Sequence, residues 1–198
     1  TEERVAAMLG GTSHPAYEVV GKMRPTETQE DWSYTVEQVA VNAVMAGARP
    51  EYLPVILALA STGITALHSS TSSFAAMVVV NGPISHALRM NSGLGALGPF
   101  NHANATIGRA YGLMSRNLGG GAVPGTTYLG SQGNPLNYSN VCFAENEERS
   151  PWEPFHVQKG YPPGESVVSV FRGRTFSHLL EVRENTWREQ FLNLVSGF

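Results

Sequence analysis

The most constraining feature of this 198-residue sequence is a pattern for a buried strand, followed by a glycine-rich loop and a helix. The run from Phe74 to Val80 is continuously apolar and largely β-branched, which is typical of a strand buried on both faces. The loop that follows, residues 81–103, is rich in Gly and Asn. A helix is predicted to begin near Asn104, whose side chain can cap the first N–H groups, and to end at Gly119. This order of elements favours an α/β fold.

The same loop predicts an anion-binding site. Its glycines allow a ligand to approach the backbone, and the N–H groups and dipole at the helix start favour negative charge. Arg109, in or just after the first helical turn, can hold a carboxylate or phosphate with two hydrogen bonds. Alternatively, Arg109 is solvated and the glycines only allow close packing, since neither a Walker A motif nor G-x-G-x-x-G is present. The predicted substrate-binding residues of this region are Asn81, Gly98, Asn101, Asn104, Thr106 and Arg109, with His102 beside them as a catalytic candidate.

The pattern of the whole chain predicts a single α/β domain over residues 1–198, in which helices cover a small sheet and long Gly/Pro-rich loops connect the elements. The clearest helix begins at Thr35, whose spacing to Gln38 is that of a capping box. A second helix begins at Pro50, a residue that suits the first helical position. Further predictions are a helix at 2–9, polar turns at 12–31, strands at 138–144 and 167–171, and a C-terminal docking helix at 184–198.

Composition excludes several classes of protein. With a net charge of −3 and 15% charged residues, the chain has no general electrostatic attraction to nucleic acid or to an anionic membrane. No apolar run reaches the ~18 residues that a membrane span requires. The single cysteine, Cys142, rules out a disulfide within the chain and suits a reducing, cytoplasmic compartment. The chain begins at Thr1 and not at methionine, which indicates a processed or partial product.

Three further residues could take part in chemistry. They lie within or after the strand predicted at 138–144: Cys142, Glu145 and His156. Glu145 comes directly after it, where the active sites of α/β proteins tend to lie, and could act as a general acid or base. Cys142 could be a nucleophile if a histidine such as His156 lies close enough to generate the thiolate; alternatively it is a small buried hydrophobe. His156 is also a candidate for substrate binding, whereas Glu147 and Glu148 are expected to be solvated. No H-E-x-x-H or C-x-x-C motif supports a zinc site.

Four long segments are distinctive: TVEQVAVNAVMAGARPEYLPVILA (35–58), VVVNGP (78–83), NSGLGALGPFNHANATIGRA (91–110) and CFAENEERSPWEPFHVQKG (142–160). Together they resemble the large domain or subunit of a bacterial protein family named for a U/C-G-S-C motif, in which U is selenocysteine. In that family the motif lies in a separate, smaller module and is thought to act as a thiol or selenol centre in redox or organometal-type chemistry. This chain contains no C-G-S-C. The resemblance therefore implies a second polypeptide that carries the C-G-S-C or selenocysteine motif.

Two functions follow from these observations. The first is a subunit of a cytoplasmic bacterial enzyme complex that acts on a small anionic or thiol/organo-element substrate, by redox or lyase chemistry. In that case a partner chain supplies the reactive thiol, and His102 or Glu145 moves a proton. The second is a non-catalytic scaffold subunit of a hetero-oligomer. The Gly/Pro-rich loops and the amphipathic C-terminal helix favour this function. The sequence does not identify a cofactor.

Overall fold

The computed structural model of the protein describes residues 1–23, 32–65, 76–98, 100–119 and 141–172. The described residues form a mixed α/β fold with helices and two small sheets, so the predicted fold class is confirmed. The docking helix predicted at 184–198 lies outside the described residues. The extent of the domain, residues 1–198, accordingly stays a prediction.

Among residues 1–23 and 32–65, three α-helices are present: α1 (Glu2–Leu9), α2 (Val36–Ala46) and α3 (Leu53–Ser61). The capping box predicted for α2 is confirmed. The Thr35 hydroxyl accepts a hydrogen bond from the Gln38 N–H at 3.4 Å, and the Gln38 side chain accepts one from the Thr35 N–H at 2.9 Å. Gly47 ends α2 with a φ of 82°, a left-handed conformation that glycine adopts without strain. A 3-10 turn at Pro50–Tyr52 leads into α3, close to the start that the proline predicts.

A two-stranded antiparallel sheet, β1 (Val19–Met23) with β2 (Trp32–Thr35), corrects the prediction of turns over residues 12–31. Its pairing depends on contacts with α3 that a local pattern does not show. The Tyr34 hydroxyl donates to the carbonyl oxygen of Ala60 at 2.6 Å. A Cβ added at Gly21 would lie 3.1 Å from that same oxygen. Glycine therefore allows β1 to approach α3 closely.

The second sheet has three strands in the order β4 (Val141–Ala144), β3 (Ala76–Asn81) and β5 (Val167–Arg172). Strands β3 and β4 are parallel, and β5 is antiparallel to β3. Val78 and Val80 in the middle strand are completely buried, as the continuous apolar run predicts. Since β3 and β4 are parallel, their carboxyl ends lie at the same edge of the sheet.

Three more helices belong to the described residues: α4 (Pro83–Ala87), α5 (His102–Asn117) and α6 (Phe155–Gln158). The prediction that Asn104 caps α5 is wrong. The cap is Asn101, whose side chain accepts a hydrogen bond from the Asn104 N–H at 3.0 Å. Because a turn takes about 3.6 residues, this earlier start places Arg109 in the third turn of α5 and not in its first. The expected proximity of Arg109 to the helix start is therefore also wrong.

The hydrophobic core lies where α1, α2, α3 and α5 meet the buried face of the three-stranded sheet. Its centre contains side chains with no exposed surface, among them Val39 of α2, Ile56 of α3 and Ile107 of α5. No helix in the described ranges has both the length and the apolar character that a membrane crossing requires.

Candidate functional site

The carboxyl ends of β3 and β4 place Asn81 and Glu145 next to each other. Val80 pairs with Ala144 in the parallel register, so the residue after each of them emerges at the same edge. Asn81 is the last residue of β3 and Glu145 is the first after β4. The carboxyl edge of parallel strands is the usual place for binding sites in α/β proteins. We call the group of side chains gathered here, Asn81, Glu145, Glu147 and His156, the strand-end cluster.

One amide nitrogen in this cluster serves two carboxylates. Asn81 Nδ2 donates to Glu145 Oε2 at 2.5 Å and to Glu147 Oε1 at 2.9 Å. Glu147 Oε1 also accepts the Gly82 N–H at 2.8 Å, and Glu145 Oε2 accepts the Phe155 N–H at 2.9 Å. The two carboxylates are thus fixed by neutral donors, and hydrogen bonds to charged acceptors are the strong ones.

His156 completes the cluster from α6, the helix that the Phe155 N–H anchors to Glu145. Its Nδ1 lies 3.9 Å from Glu147 Oε1, and the residue is only 1% exposed. Within the described part of the chain, neither ring nitrogen of His156 has a hydrogen-bond partner, and neither does Oδ1 of the fully buried Asn81. Buried polar atoms normally have partners, since each one left unpaired costs about 1–3 kcal/mol. These three atoms therefore have hydrogen-bonding capacity that the described residues do not use.

This arrangement suits proton transfer. A neutral imidazole can accept a proton at one nitrogen, and a carboxylate beside it stabilises the imidazolium that results. Glu147 is placed for that role, and its side chain is 20% exposed, so the cluster reaches the surface there. Within the described ranges, no group of three or more His, Cys, Asp and Glu side chains is arranged to hold a metal ion.

A second polar network connects the start of α5 to this edge. The Asn104 side chain accepts the Asn91 N–H at 3.1 Å and donates to the carbonyl oxygens of Asn91 and Ala96 at 2.9 and 3.2 Å. The Asn91 carbonyl oxygen also accepts the Ala144 N–H at 3.4 Å. Asn101 donates to the carbonyl oxygen of Arg89 at 2.9 Å. Asn101 and Asn104, predicted to bind substrate, are thus engaged in holding the loop against the sheet.

Other predicted residues lie outside the strand-end cluster. His102 is exposed, and its Nδ1 lies 3.3 Å from the hydroxyl of Tyr52. The Thr106 hydroxyl donates to the His102 carbonyl oxygen at 2.8 Å, a bond within the helix. Arg109 is exposed. Gly98 lies in the loop before α5, where an added Cβ would be 3.1 Å from the ring of Phe100. The structure therefore unites Asn81, Glu145 and His156, while the roles predicted for the others stay untested.

Cys142 lies in the middle of β4, in the hydrophobic core and only 4% exposed. Burial raises the pKa of its thiol to about 12, because the thiolate would lose its hydration. The thiol is therefore protonated at neutral pH, which does not favour the nucleophilic role predicted for it. Its position matches the alternative, a small buried hydrophobe.

The raised pKa of Cys142 predicts how stability depends on pH. The folded state holds the thiol proton more tightly than the unfolded state, so this contribution is complete below the ordinary pKa of 9.0 and is lost as the pH rises toward about 12. Urea unfolding of the native protein and of a Cys142→Ala variant should show a stability difference that narrows above pH 9. Burial also raises the pKa of Tyr34 to about 12. Because Tyr34 is present in both proteins, it does not change the difference between their stabilities. A stability difference that stays constant from pH 7 to pH 11 would contradict the burial of the Cys142 thiol.

Glu147 is the functional candidate that the sequence did not predict, since an acidic stretch usually marks a solvated loop. Its significance comes from the Gly82 N–H and the Asn81 amide, whose hydrogen bonds with it span 65 and 66 residues of sequence. The one available signal was its spacing of two residues from Glu145. Comparison with known proteins found no family model, no curated protein and no solved structure that matches this chain.

Proposed function

We propose that this chain is the subunit of a heteromeric enzyme that binds the substrate and supplies the base, while a second polypeptide supplies the reactive thiol. The observation that carries the proposal is the buried His156 imidazole, which has no hydrogen-bond partner among the described residues and lies 3.9 Å from Glu147 Oε1. A histidine next to a carboxylate is the usual means of converting a thiol into a thiolate. The proton would pass from the thiol sulfur to the partly exposed Glu147 carboxylate and on to the buried imidazole, and Glu147 would then stabilise the imidazolium.

The thiol has to come from elsewhere because Cys142, the one cysteine of this sequence, is part of the hydrophobic core. The resemblance to the U/C-G-S-C family supports the same division of labour, with a thiol or selenol centre on a partner chain. We propose a cytoplasmic location for the complex, since a free reactive thiol persists best in a reducing compartment.

The charge of the strand-end cluster bears on the substrate. Glu145 and Glu147 are both carboxylates, and their hydrogen-bond donors within the cluster are neutral groups. An anionic substrate would be repelled here, because like charges a few ångströms apart interact unfavourably. Of the substrate classes that the sequence suggests, a thiol or an organo-element compound fits the cluster better than an anion.

A peptide that contains Cys-Gly-Ser-Cys tests the proposal directly. At pH 7 most of its thiols are protonated and react slowly with iodoacetamide, because only the thiolate is nucleophilic. We expect the wild-type protein to accelerate alkylation of the peptide by about tenfold, since only about 3% of a thiol with the ordinary pKa of about 8.5 is thiolate at pH 7. His156→Phe should remove this acceleration. Mass spectrometry of the peptide measures the rate separately from any reaction of the protein.

His86→Phe provides the matched control, because His86 is an exposed histidine on α4 and its replacement should leave the acceleration intact. Urea unfolding excludes a purely structural effect of His156→Phe. That variant should be as stable as the wild type or more stable by about 1 kcal/mol, because it removes an unpaired buried polar group. No acceleration by the wild-type protein, or equal acceleration by His156→Phe, would overturn the proposal.

The alternative, a non-catalytic scaffold subunit, rests on a different observation. Leu94, Leu97 and Phe100 are highly exposed apolar side chains in the loop before α5, and exposed apolar groups close together often mark a contact with another protein. Replacing all three with serine should prevent assembly under either function. Only the enzymatic function predicts that His156→Phe assembles normally and yet lacks turnover.

A further inference from the structure

A cavity of about 580 Å³ lies away from the strand-end cluster, between the loop after α1, strand β1 and helix α3. This volume is typical of a site for a small organic molecule, for which the usual range is about 300–1,000 Å³. Its apolar lining includes Val36, Pro54, Leu57 and Ala58. Its polar lining includes His14 and Glu18 from the segment that follows α1.

His14 and Glu18 form a defined pair in this cavity. The Nδ1 atom of His14 lies 3.0 Å from both carboxylate oxygens of Glu18. Because a carboxylate can only accept a hydrogen bond, Nδ1 carries the proton in this contact. The other ring nitrogen, Nε2, then has a free lone pair when the imidazole is neutral. The pair therefore presents a hydrogen-bond acceptor whose orientation is fixed by the carboxylate.

The backbone around this pair is held by the rest of the fold. Glu18 donates its N–H to Pro15 at 3.0 Å, and its carbonyl oxygen accepts the Val36 N–H at 2.9 Å. The His14 N–H donates to the Thr12 hydroxyl at 3.2 Å. Gly11 lies so close to the chain at Pro50 that a Cβ there would overlap the Pro50 carbonyl oxygen. These contacts fix the polar side of the cavity before a ligand arrives, which lowers the entropic cost of binding.

We propose that this cavity binds a small molecule with an apolar body and a hydroxyl group, and that the hydroxyl donates a hydrogen bond to His14 Nε2. The apolar body would lie on Pro54, Leu57 and Ala58, where burial provides most of the binding free energy. Glu18 brings a negative charge to the polar side, so an anionic head group is disfavoured. A hydroxyl needs only an acceptor, and the pair supplies one.

This site is independent of the function proposed for the strand-end cluster. Asn81, Glu145, Glu147 and His156 do not line the cavity. If the alkylation test fails, the proposal for the cavity is unaffected. If the binding test below fails, the function proposed for the strand-end cluster is unaffected.

Benzyl alcohol is the probe for the location of the site. Its binding is measured by an NMR titration that records the backbone amide signals of the protein. We expect saturable binding, with shift changes concentrated at the backbone of Gly11 to Glu18 and of α3. Ala58→Trp should weaken the binding by at least tenfold, because Ala58 is an exposed residue of the wall and the indole would fill the cavity. Ala87→Trp, at an exposed position of α4, is the matched control and should leave the affinity unchanged. No binding, or equal binding to both tryptophan variants, would overturn the site.

Three probes that share one ring test the head group. Benzyl alcohol should bind at least tenfold more tightly than benzoate, because Glu18 repels the carboxylate. His14→Phe, which keeps a ring on this half-exposed residue, should weaken benzyl alcohol binding by about tenfold. Benzoate binding as tightly as benzyl alcohol would contradict the assignment. The assignment would also be contradicted if benzylamine bound more tightly than benzyl alcohol and kept that affinity in His14→Phe. In that case Glu18 alone would hold the cation.

Discussion

Gly82→Ala is expected to lower the free energy of unfolding by about 3–5 kcal/mol. Gly82 has φ 80° and ψ −170°, a region that is essentially restricted to glycine and costs other residues about 1–3 kcal/mol. A Cβ at this position would also overlap the backbone carbonyl oxygen of Glu165. Forcing an extra group against fixed atoms costs typically about 1–3 kcal/mol more. Urea denaturation followed by circular dichroism measures the loss.

Two other glycines separate these contributions. An added Cβ at Gly95 meets no atom of the described residues within 4 Å, but the φ of Gly95 is 76°, so Gly95→Ala should cost only the conformational part, about 1 kcal/mol. A Cβ at Gly164 is also more than 4 Å from every described residue beyond its chain neighbours, and the φ of Gly164 lies outside the left-handed region, so Gly164→Ala should be nearly neutral. If Gly82→Ala were no more destabilising than Gly95→Ala, the close approach of Gly82 to Glu165 would be wrong.

Asn81→Leu is expected to lower the free energy of unfolding by about 3 kcal/mol at neutral pH. The substitution removes two hydrogen bonds to carboxylates, from Asn81 Nδ2 to Glu145 and to Glu147, and bonds to charged groups contribute about 1.5–3 kcal/mol each. Both carboxylates keep one backbone donor, which limits the loss. Chemical denaturation of the variant measures it.

A double-mutant cycle shows whether the loss arises at the cluster. Glu145→Gln combined with Asn81→Leu should give a coupling energy of about 1–2 kcal/mol, because residues that share a hydrogen bond are not additive. Asn117→Leu is the matched control. Asn117 is exposed and donates to the buried Asn42 at 2.7 Å. Because both partners are neutral amides, the loss should be only about 1 kcal/mol. Simple additivity at Asn81 and Glu145 would mean that their hydrogen bond does not contribute to stability.

Local patterns were sufficient for the elements whose causes are local. The capping box at Thr35 and Gln38 and the left-handed Gly47 fixed both ends of α2, since each involves residues only a few positions apart. The apolar run that became β3 was equally clear. Strand β1 was missed because its partner β2 and its contact with α3 lie elsewhere in the sequence. Asn101 and Asn104 are both good caps, and only the loop at Asn91 decides which of them performs that role.

The candidate site also has one part that the sequence predicted and another part that it did not. Glu145 could be singled out because it directly follows a strand, and parallel pairing then brings it to Asn81. Its relation to Glu147 and His156 could not be derived, because the chain between β4 and α6 turns through contacts with Asn81, Gly82 and Glu145. The predicted anion site included Arg109 in or just after the first helical turn, and an error of two or three residues in the start of α5 was enough to misplace that side chain.

The connectivity of the three-stranded sheet has a consequence for the order in which the protein folds. Among the described residues, strand β3 pairs with β4 and β5, which both follow it much later in the chain. At this edge Asn81 donates to Glu145, 64 residues further on, and pairs with Val167 of β5. Closing such long loops is slow, whereas helices and short connections form rapidly. During synthesis, α1, α2 and α3 can associate while β3 still has no partner. The strand-end cluster, which needs residues from 81 to 156, thus assembles after these helices, and until then the apolar strand β3 is open to mispairing.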